Sequence, residues 1–272
     1  MIEEERNILH RKLHYDLDTG CRIVEFNPAD ENHLRHLARY IFSAQFCDGK
    51  RVIDMASGTG YGAQEILVHS KPEIFVISDI SLNALEYAKK HYSDKLLKVC
   101  ADAISLPFKD GAFDVFLSFE TIEHIPEYRN YLSEIVRVLD EDGIAIISTP
   151  NKIYRSPYTR KPRNPFHFIE WRRKEFIDLI KGYFKRIEIY GQYVPRYPIS
   201  LMVFAPLFDT TLYNLPLVGK IMRKVAGLIR MIFGRSKYSE NDTCDYLKKH
   251  AVRTISENDE PEIFVVVCHK KG

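Results

Sequence analysis

Hydrophobic positions along the chain alternate between two periods. From Glu31 to Cys47, Leu34, Leu37, Ala38, Ile41, Phe42 and Phe46 recur at helical spacing, and Asp48-Gly49 ends the run. A short β-rich stretch, Arg51–Met55, leads into a glycine turn and a helix over Tyr61–Ser70. Apolar runs at Ile74–Ser78, Leu96–Cys100 and Phe113–Phe119 predict the next three strands, with a helix over Leu82–Tyr92 between the first two. A helix over Tyr128–Leu139 follows, and Asp142-Gly143 turns the chain into a fifth strand at Ile144–Ser148. Arg172–Tyr183 reads as helix, Arg186–Tyr190 as a sixth strand and Ile263–Cys268 as a seventh.

Parallel strands need crossover connections about as long as these helices, so the alternation predicts a mostly parallel sheet covered on both faces. The fold class is α/β, doubly wound. Its main domain is expected to span 31–194 and 260–272, with an N-terminal segment, 1–30, as a candidate lid over the acceptor site. About 70 residues separate the sixth and seventh strands, far more than a hairpin needs, so 195–259 reads as a helical insertion.

Within the insertion, Ile221, Met222, Val225, Leu228, Ile229, Ile232 and Phe233 share one helical stripe. Lys220, Arg223, Lys224, Arg230 and Arg235 occupy the other side of the segment Gly219–Arg235, with no acidic residue between them. Such a helix suits an anionic membrane surface. It equally suits a lid or a homodimer contact that buries the stripe in protein.

Composition narrows the class. Hydrophobic residues are 45% and charged residues 28%, the balance of a globular chain. A net charge of +2 gives no reason to expect nucleic acid as a partner. The five cysteines (Cys21, Cys47, Cys100, Cys244 and Cys268) form no C-x-x-C pair, which speaks against a disulfide framework or a zinc site. The start, MIEEERNILHRK, is too charged for a secretory signal, and the apolar run Ile199–Phe208 is too short to span a bilayer. A cytoplasmic location, at the inner face of the membrane if the basic helix lies there, is the expectation. His10, His14, His33 and His36 lack the carboxylate partners and spacing of a catalytic metal site, so no metal is expected.

Ligands of doubly wound sheets bind at the carboxyl ends of the strands. The first strand ends in Asp54-Met55-Ala56-Ser57-Gly58-Thr59-Gly60-Tyr61-Gly62. These glycines permit a tight turn and close approach of a ligand to the backbone. Asp79 closes the second strand about 20 residues on, where a carboxylate can accept from a ribose diol. Gly58, Gly60 and Ala63 also fit the dinucleotide fingerprint, so an NAD-dependent oxidoreductase stays open, as does a non-catalytic nucleotide-binding module. Two features favour a cationic methyl donor: Asp54 before the glycines would repel a pyrophosphate, and Asp102, after the third strand, can accept from an adenine amino group.

The segments VIDMASGTGYGA, ISDIS, ADAISLPF, FDVFLSFETIEHI and ISTPN together resemble the class I S-adenosylmethionine-dependent methyltransferases. HLRHLARYIF and NPFHFIEW resemble, more narrowly, type 11-like members associated with cell-surface glycan synthesis. The resemblance implies a seven-stranded sheet of order 3-2-1-4-5-7-6 with the seventh strand antiparallel. It implies S-adenosyl-L-methionine as cofactor, with Asp54, Gly58 and Gly60 around its amino-acid part and Ala56 and Ser57 also in the cofactor site. Asp79 and Ile80 would meet the ribose, Asp102 and Ala103 the adenine, and Phe119 and Glu120 would lie beneath the sulfonium. Ser57 departs from the Cys or Gly frequent at its position.

Methyl transfer needs alignment, and a hydroxyl acceptor must also lose a proton. Candidates on the loops after the fourth and fifth strands are Glu120, Glu123, His124, Tyr154, Asn164, His167 and Glu170. His167 is the first choice of base, with His124 next and Glu120 as an orienting group. Lys152, Arg155, Arg160, Lys161 and Arg163, interleaved with Tyr154 and Tyr158, form a basic rim suited to a phosphate. The expected reaction is O-methylation of a sugar, glycan or lipid-linked acceptor. O- or N-methylation of a small metabolite is the alternative.

Overall fold

A computed structural model describes residues 31–193, 251–256 and 259–271. The expected lid in 1–30, nearly all of the insertion 195–259 with its basic helix, and Cys21 and Cys244 lie outside the described residues.

The chain order is α1 (Glu31–Ala44), β1 (Arg51–Met55), α2 (Tyr61–His69), β2 (Ile74–Asp79), α3 (Leu82–His91), β3 (Leu96–Cys100) and β4 (Phe113–Phe119). A 3-10 turn at Ile122–His124 leads to α4 (Tyr128–Val138) and β5 (Leu139–Pro150). Then come the short α5 (Lys152–Arg155), α6 (Arg173–Lys181), β6 (Arg186–Gln192), β7 (Arg253–Thr254) and β8 (Ile263–His269).

The sheet order is β3-β2-β1-β4-β5-β8-β6-β7. β1 to β5 run parallel, and β8 inserts antiparallel between β5 and β6. This is the anticipated order with one correction: the sheet has eight strands, because Arg253–Thr254 adds a short antiparallel edge beside β6. Two exposed polar residues carry no apolar alternation, so this strand left no signal in the sequence. The Asp142-Gly143 turn survives as a register jump. Phe113 pairs with Leu139 and Val115 with Ile144, so the residues between loop out of the ladder.

Alternate strand residues enter opposite faces, as the pleat requires. Ile53, Phe116, Ala145, Ile147, Phe264 and Val266 pack with Tyr131, Leu132 and Ile135 of α4 and Phe176 and Ile180 of α6. Val52, Phe75, Ile77, Val115, Leu117 and Val265 pack with Tyr40 of α1, Ala63 and Ile66 of α2, and Leu85 and Ala88 of α3. With both faces sealed, the loops at the carboxyl edge of the parallel strands are left to carry chemistry.

Candidate active site

The glycine turn after β1 is wound tightly. Ala56, Gly58 and Gly60 all have left-handed backbones, with φ of 58°, 58° and 80°. For a non-glycine residue such as Ala56 this conformation is costly and marks functional turns. The turn is tied to β2, because Gly58 N–H donates to Asp79 Oδ2 at 2.9 Å and Ser57 N–H to the Ser78 carbonyl at 3.1 Å. Asp79 Oδ1 accepts from Ser81 N–H at 2.8 Å, so both carboxylate oxygens are fixed by backbone.

Asp54 is buried beneath this turn and accepts from the Tyr40 hydroxyl at 3.1 Å. Burial pushes its carboxyl up to about 8, against the Tyr40 hydrogen bond and with the help of the Asp79 charge. Tyr40 stands edge-on to Phe119, ring centroids 4.9 Å apart, and to Tyr61, 5.8 Å apart. Sequence reasoning missed Tyr40 and the neighbouring Arg39, which project from α1. Arg39 is completely buried; it donates to Gln192 Oε1 at 2.6 Å, while its Nε and Nη2 have no hydrogen-bond partner. A charged residue inside the apolar stripe of α1 was the signal that could have found it.

Two clefts open on this floor and share Ala56 and His124. A narrow one is lined by Asp79, Ile80, Asp102, Ala103 and the 3-10 turn that follows β4. The other, of about 690 Å³, is lined by Ala56, Ser57, Gly58, Phe119 and Glu120, then by His124 and His167. All the anticipated donor residues except Asp54 and Gly60 line one of these clefts. Asp54 lies behind Tyr40, and the αL Gly60 supports the start of α2. Ser57 Oγ is buried without a hydrogen-bond partner at the edge of the larger cleft. An orphaned hydroxyl of that kind fits a site built to receive a polar ligand.

The far wall comes from β4, β5 and the loop after α5. Glu120 is another left-handed non-glycine residue, φ 50°, at the end of β4. Ser148 of β5 fixes it, with Oγ donating to Glu120 Oε1 at 2.8 Å. Glu123 is fully buried and accepts from Thr149 Oγ1 at 3.0 Å; its Oε1 has no hydrogen-bond partner. Burial, reinforced by the Glu120 charge, pushes its carboxyl well above the usual range.

His124 Nδ1 donates to the Phe166 carbonyl at 2.9 Å, and His167 Nδ1 lies 2.7 Å from Glu170 Oε1. The two imidazoles meet edge to face, 4.8 Å between centroids. Burial raises the Glu170 carboxyl, but hydrogen bonds from His167 and Ser156 outweigh it and leave it below its ordinary value. Asn164 Oδ1 accepts from Phe166 N–H at 3.0 Å and shapes the turn that delivers His167.

Some candidates are placed elsewhere. Tyr154 commits its hydroxyl to the Glu260 carbonyl at 2.7 Å. The basic rim divides: Arg155 and Arg163 line the large cleft, whereas Lys152 and Arg160 line a separate surface hollow beside Trp171. His33 and His36 also border the large cleft. No metal was expected, yet Glu123, His124 and His167 each place a ligand atom within 4.8 Å of the others.

Residues 53–147 match the family model described as a methyltransferase domain. Over these residues the chain carries a methyltransferase domain. The methyltransferase domain accounts for β1 to β5, the strands whose ends build both clefts. A probable S-adenosylmethionine-dependent methyltransferase of Mycobacterium tuberculosis is 32% identical over 146 residues, 54% of this chain and 52% of that protein. A phthiotriol/phenolphthiotriol dimycocerosates methyltransferase of the same species is 34% identical over 123 residues, 44% of this chain and 46% of its own length. The chain thus spans about half the length of the curated relatives it matches. Among solved structures, a methyltransferase of Thermotoga maritima superimposes with a TM-score of 0.56 at 18% identity, covering 88% of this chain and 92% of that one. That likeness extends the shared fold beyond the matched segment.

Proposed function

We propose that this protein is an S-adenosylmethionine-dependent O-methyltransferase whose acceptor is a sugar, glycan or lipid-linked hydroxyl compound. One observation carries the reading: the strand-end carboxylates Asp79 and Asp102 and the left-handed glycine turn converge on two clefts that share Ala56 and His124, with Asp54 buried behind Tyr40 of the larger one. S-adenosylmethionine brings an electrophilic methyl on a positively charged sulfur, together with an ammonium and a ribose diol.

The residues suit those groups. Asp54, as carboxylate, holds the ammonium from beneath the turn, and Asp79, already oriented by two backbone N–H groups, accepts from the diol. Asp102 accepts from the adenine amino group beside Ala103. Phe119 and Glu120 form the wall next to the sulfur, where an aromatic face and a carboxylate favour positive charge. An acceptor hydroxyl entering the large cleft meets His167, oriented by Glu170 as a proton-accepting imidazole, with His124 beside it. Holding that oxygen in line with the methyl carbon supplies much of the acceleration.

Arg155 and Arg163 on the cleft wall favour an acceptor that carries phosphate. The phthiotriol dimycocerosates relative, a lipid methyltransferase, adds support for a lipid-linked acceptor, and the basic stripe in 219–235 would bring the enzyme to an anionic membrane surface. Calorimetric titration with S-adenosylhomocysteine and, separately, with NAD tests the donor. Binding of the former alone is expected. Asp79→Ala should weaken it by about 1.5–3 kcal/mol, the value of hydrogen bonds to a charged acceptor. Preference for NAD, or an affinity indifferent to Asp79, would reject the assignment.

A further inference from the structure

The two histidines on the acceptor wall share an arrangement that a proton-accepting role for one of them leaves unexplained. Each has its Nδ1 anchored, His124 to the Phe166 carbonyl and His167 to the Glu170 carboxylate. A carbonyl or carboxylate can only accept, so Nδ1 carries the hydrogen in both rings and the lone pair of each neutral imidazole sits on Nε2. Metal-binding histidines are oriented in this way, with the outer nitrogen donating to a carbonyl or carboxylate behind it.

Glu123 provides a third group. Its side chain is fully buried, only Oε2 is satisfied, by Thr149, and Oε1 has no hydrogen-bond partner although Glu123 borders the cleft. Leaving a buried carboxyl oxygen without a partner is unfavourable. A cation between Glu123 and the imidazoles would displace the carboxyl proton and supply the missing partner. The three ligand atoms already lie within 4.8 Å of one another. Ligands about 2.1 Å from one ion stand roughly 3–4 Å apart, so small side-chain rotations close the set.

We propose that Glu123, His124 and His167 bind a divalent first-row transition-metal cation on the wall of the acceptor cleft. Two imidazoles and one carboxylate are ligands for ions from manganese to zinc, whereas magnesium and calcium favour all-oxygen sites. Three protein ligands leave positions open toward the cleft. The role of the ion rests on the methyltransferase reading above. It would hold an acceptor with two neighbouring oxygens, such as a vicinal diol, and make one hydroxyl more acidic. That hydroxyl gives its proton to water; its oxygen then forms the new C–O bond as the S–CH3 bond breaks, the electron pair staying on sulfur. With the ion in place the histidines act through it, and the proton-accepting role given to His167 above passes to water.

The test is uptake of Co2+ and Mn2+ by full-length protein freed of metal by chelator and dialysis. One Co2+ per chain is expected, with visible absorption of a nitrogen-ligated ion, and Mn2+ should show imidazole nitrogen coupling in spin-echo spectra. Glu123→Gln, His124→Asn and His167→Asn should each weaken uptake by at least about tenfold, and an unchanged circular dichroism spectrum with a cooperative melt would show that each variant is folded. The wild-type nitrogen coupling is read without any variant. Lack of uptake, or uptake that all three folded variants leave intact, would overturn the site. S-adenosylhomocysteine binding without metal uptake defeats this inference and spares the donor assignment; uptake without S-adenosylhomocysteine binding does the reverse.

Discussion

Asp54 shows how one side chain can tie ligand binding to pH. Its carboxyl is held up to about 8 by burial, so near neutrality the ligand-free fold keeps it protonated. An ammonium needs the carboxylate, so donor binding must release that proton. Affinity for S-adenosylhomocysteine should therefore rise as pH increases toward and through about 8, and Asp54→Asn should flatten the profile. Stability runs the other way. Between the ordinary carboxyl value and about 8 the folded state holds a proton that the unfolded state has lost, so this group's contribution falls as pH rises through that window. Melting temperatures of the wild type and Asp54→Asn across the same range would measure it. Asp54 was legible in the sequence because it ends a β-rich run before glycines. Its partner Tyr40 was not: a tyrosine on an apolar helical stripe looks like core until a carboxylate 14 positions along is seen beneath its hydroxyl.

Among the elements, α2 gives the sharpest constraint. A Cβ at Gly62 would overlap the ring of Tyr40, which also packs on Phe119 and holds Asp54. Gly62→Ala should cost about 1–3 kcal/mol, as overpacking a closed core does, and should also weaken S-adenosylhomocysteine binding. Chemical denaturation and calorimetry on the same protein check both effects. An unchanged affinity would mean that Tyr40 does not position Asp54. Strand and helix periods were readable from β1 to β6: β1, β2, β4 and β5 carry nearly continuous buried apolar runs, while the half-exposed β6 alternates Ile187 and Ile189 with polar residues. The far wall of the cleft was readable only as a set of candidates. Glu120, Glu123, His124, His167 and Glu170 could be named, but their pairing depends on the 3-10 turn delivering Glu123 inward and on the Asn164 turn placing His167, neither of which leaves a periodic trace.

At the scale of the whole molecule, the donor machinery and the determinants of the acceptor come from different stretches of chain. β1 to β4 carry the residues assigned to the donor, while the acceptor wall takes in residues from the loop after α5. The basic segment 219–235 has its own test. Full-length protein should sediment with anionic vesicles, and a chain lacking 219–235 should not; a full-length protein that never sediments would refute the membrane role. Among the described residues no helix is long and apolar enough to cross a bilayer.

β6 ends at Gln192 directly opposite Ile263, where β8 begins. Neighbouring strands are about 4.8 Å apart, and the chain is back in the sheet at Arg253–Thr254, beside the end of β6. The sequence between Gln192 and Arg253 can therefore be lengthened, shortened or exchanged while the rungs of β6, β7 and β8 keep their partners, as a tool is swapped in a fixed handle. The sheet and its strand-end clefts can stay constant while evolution, or an engineer, changes what is brought to them.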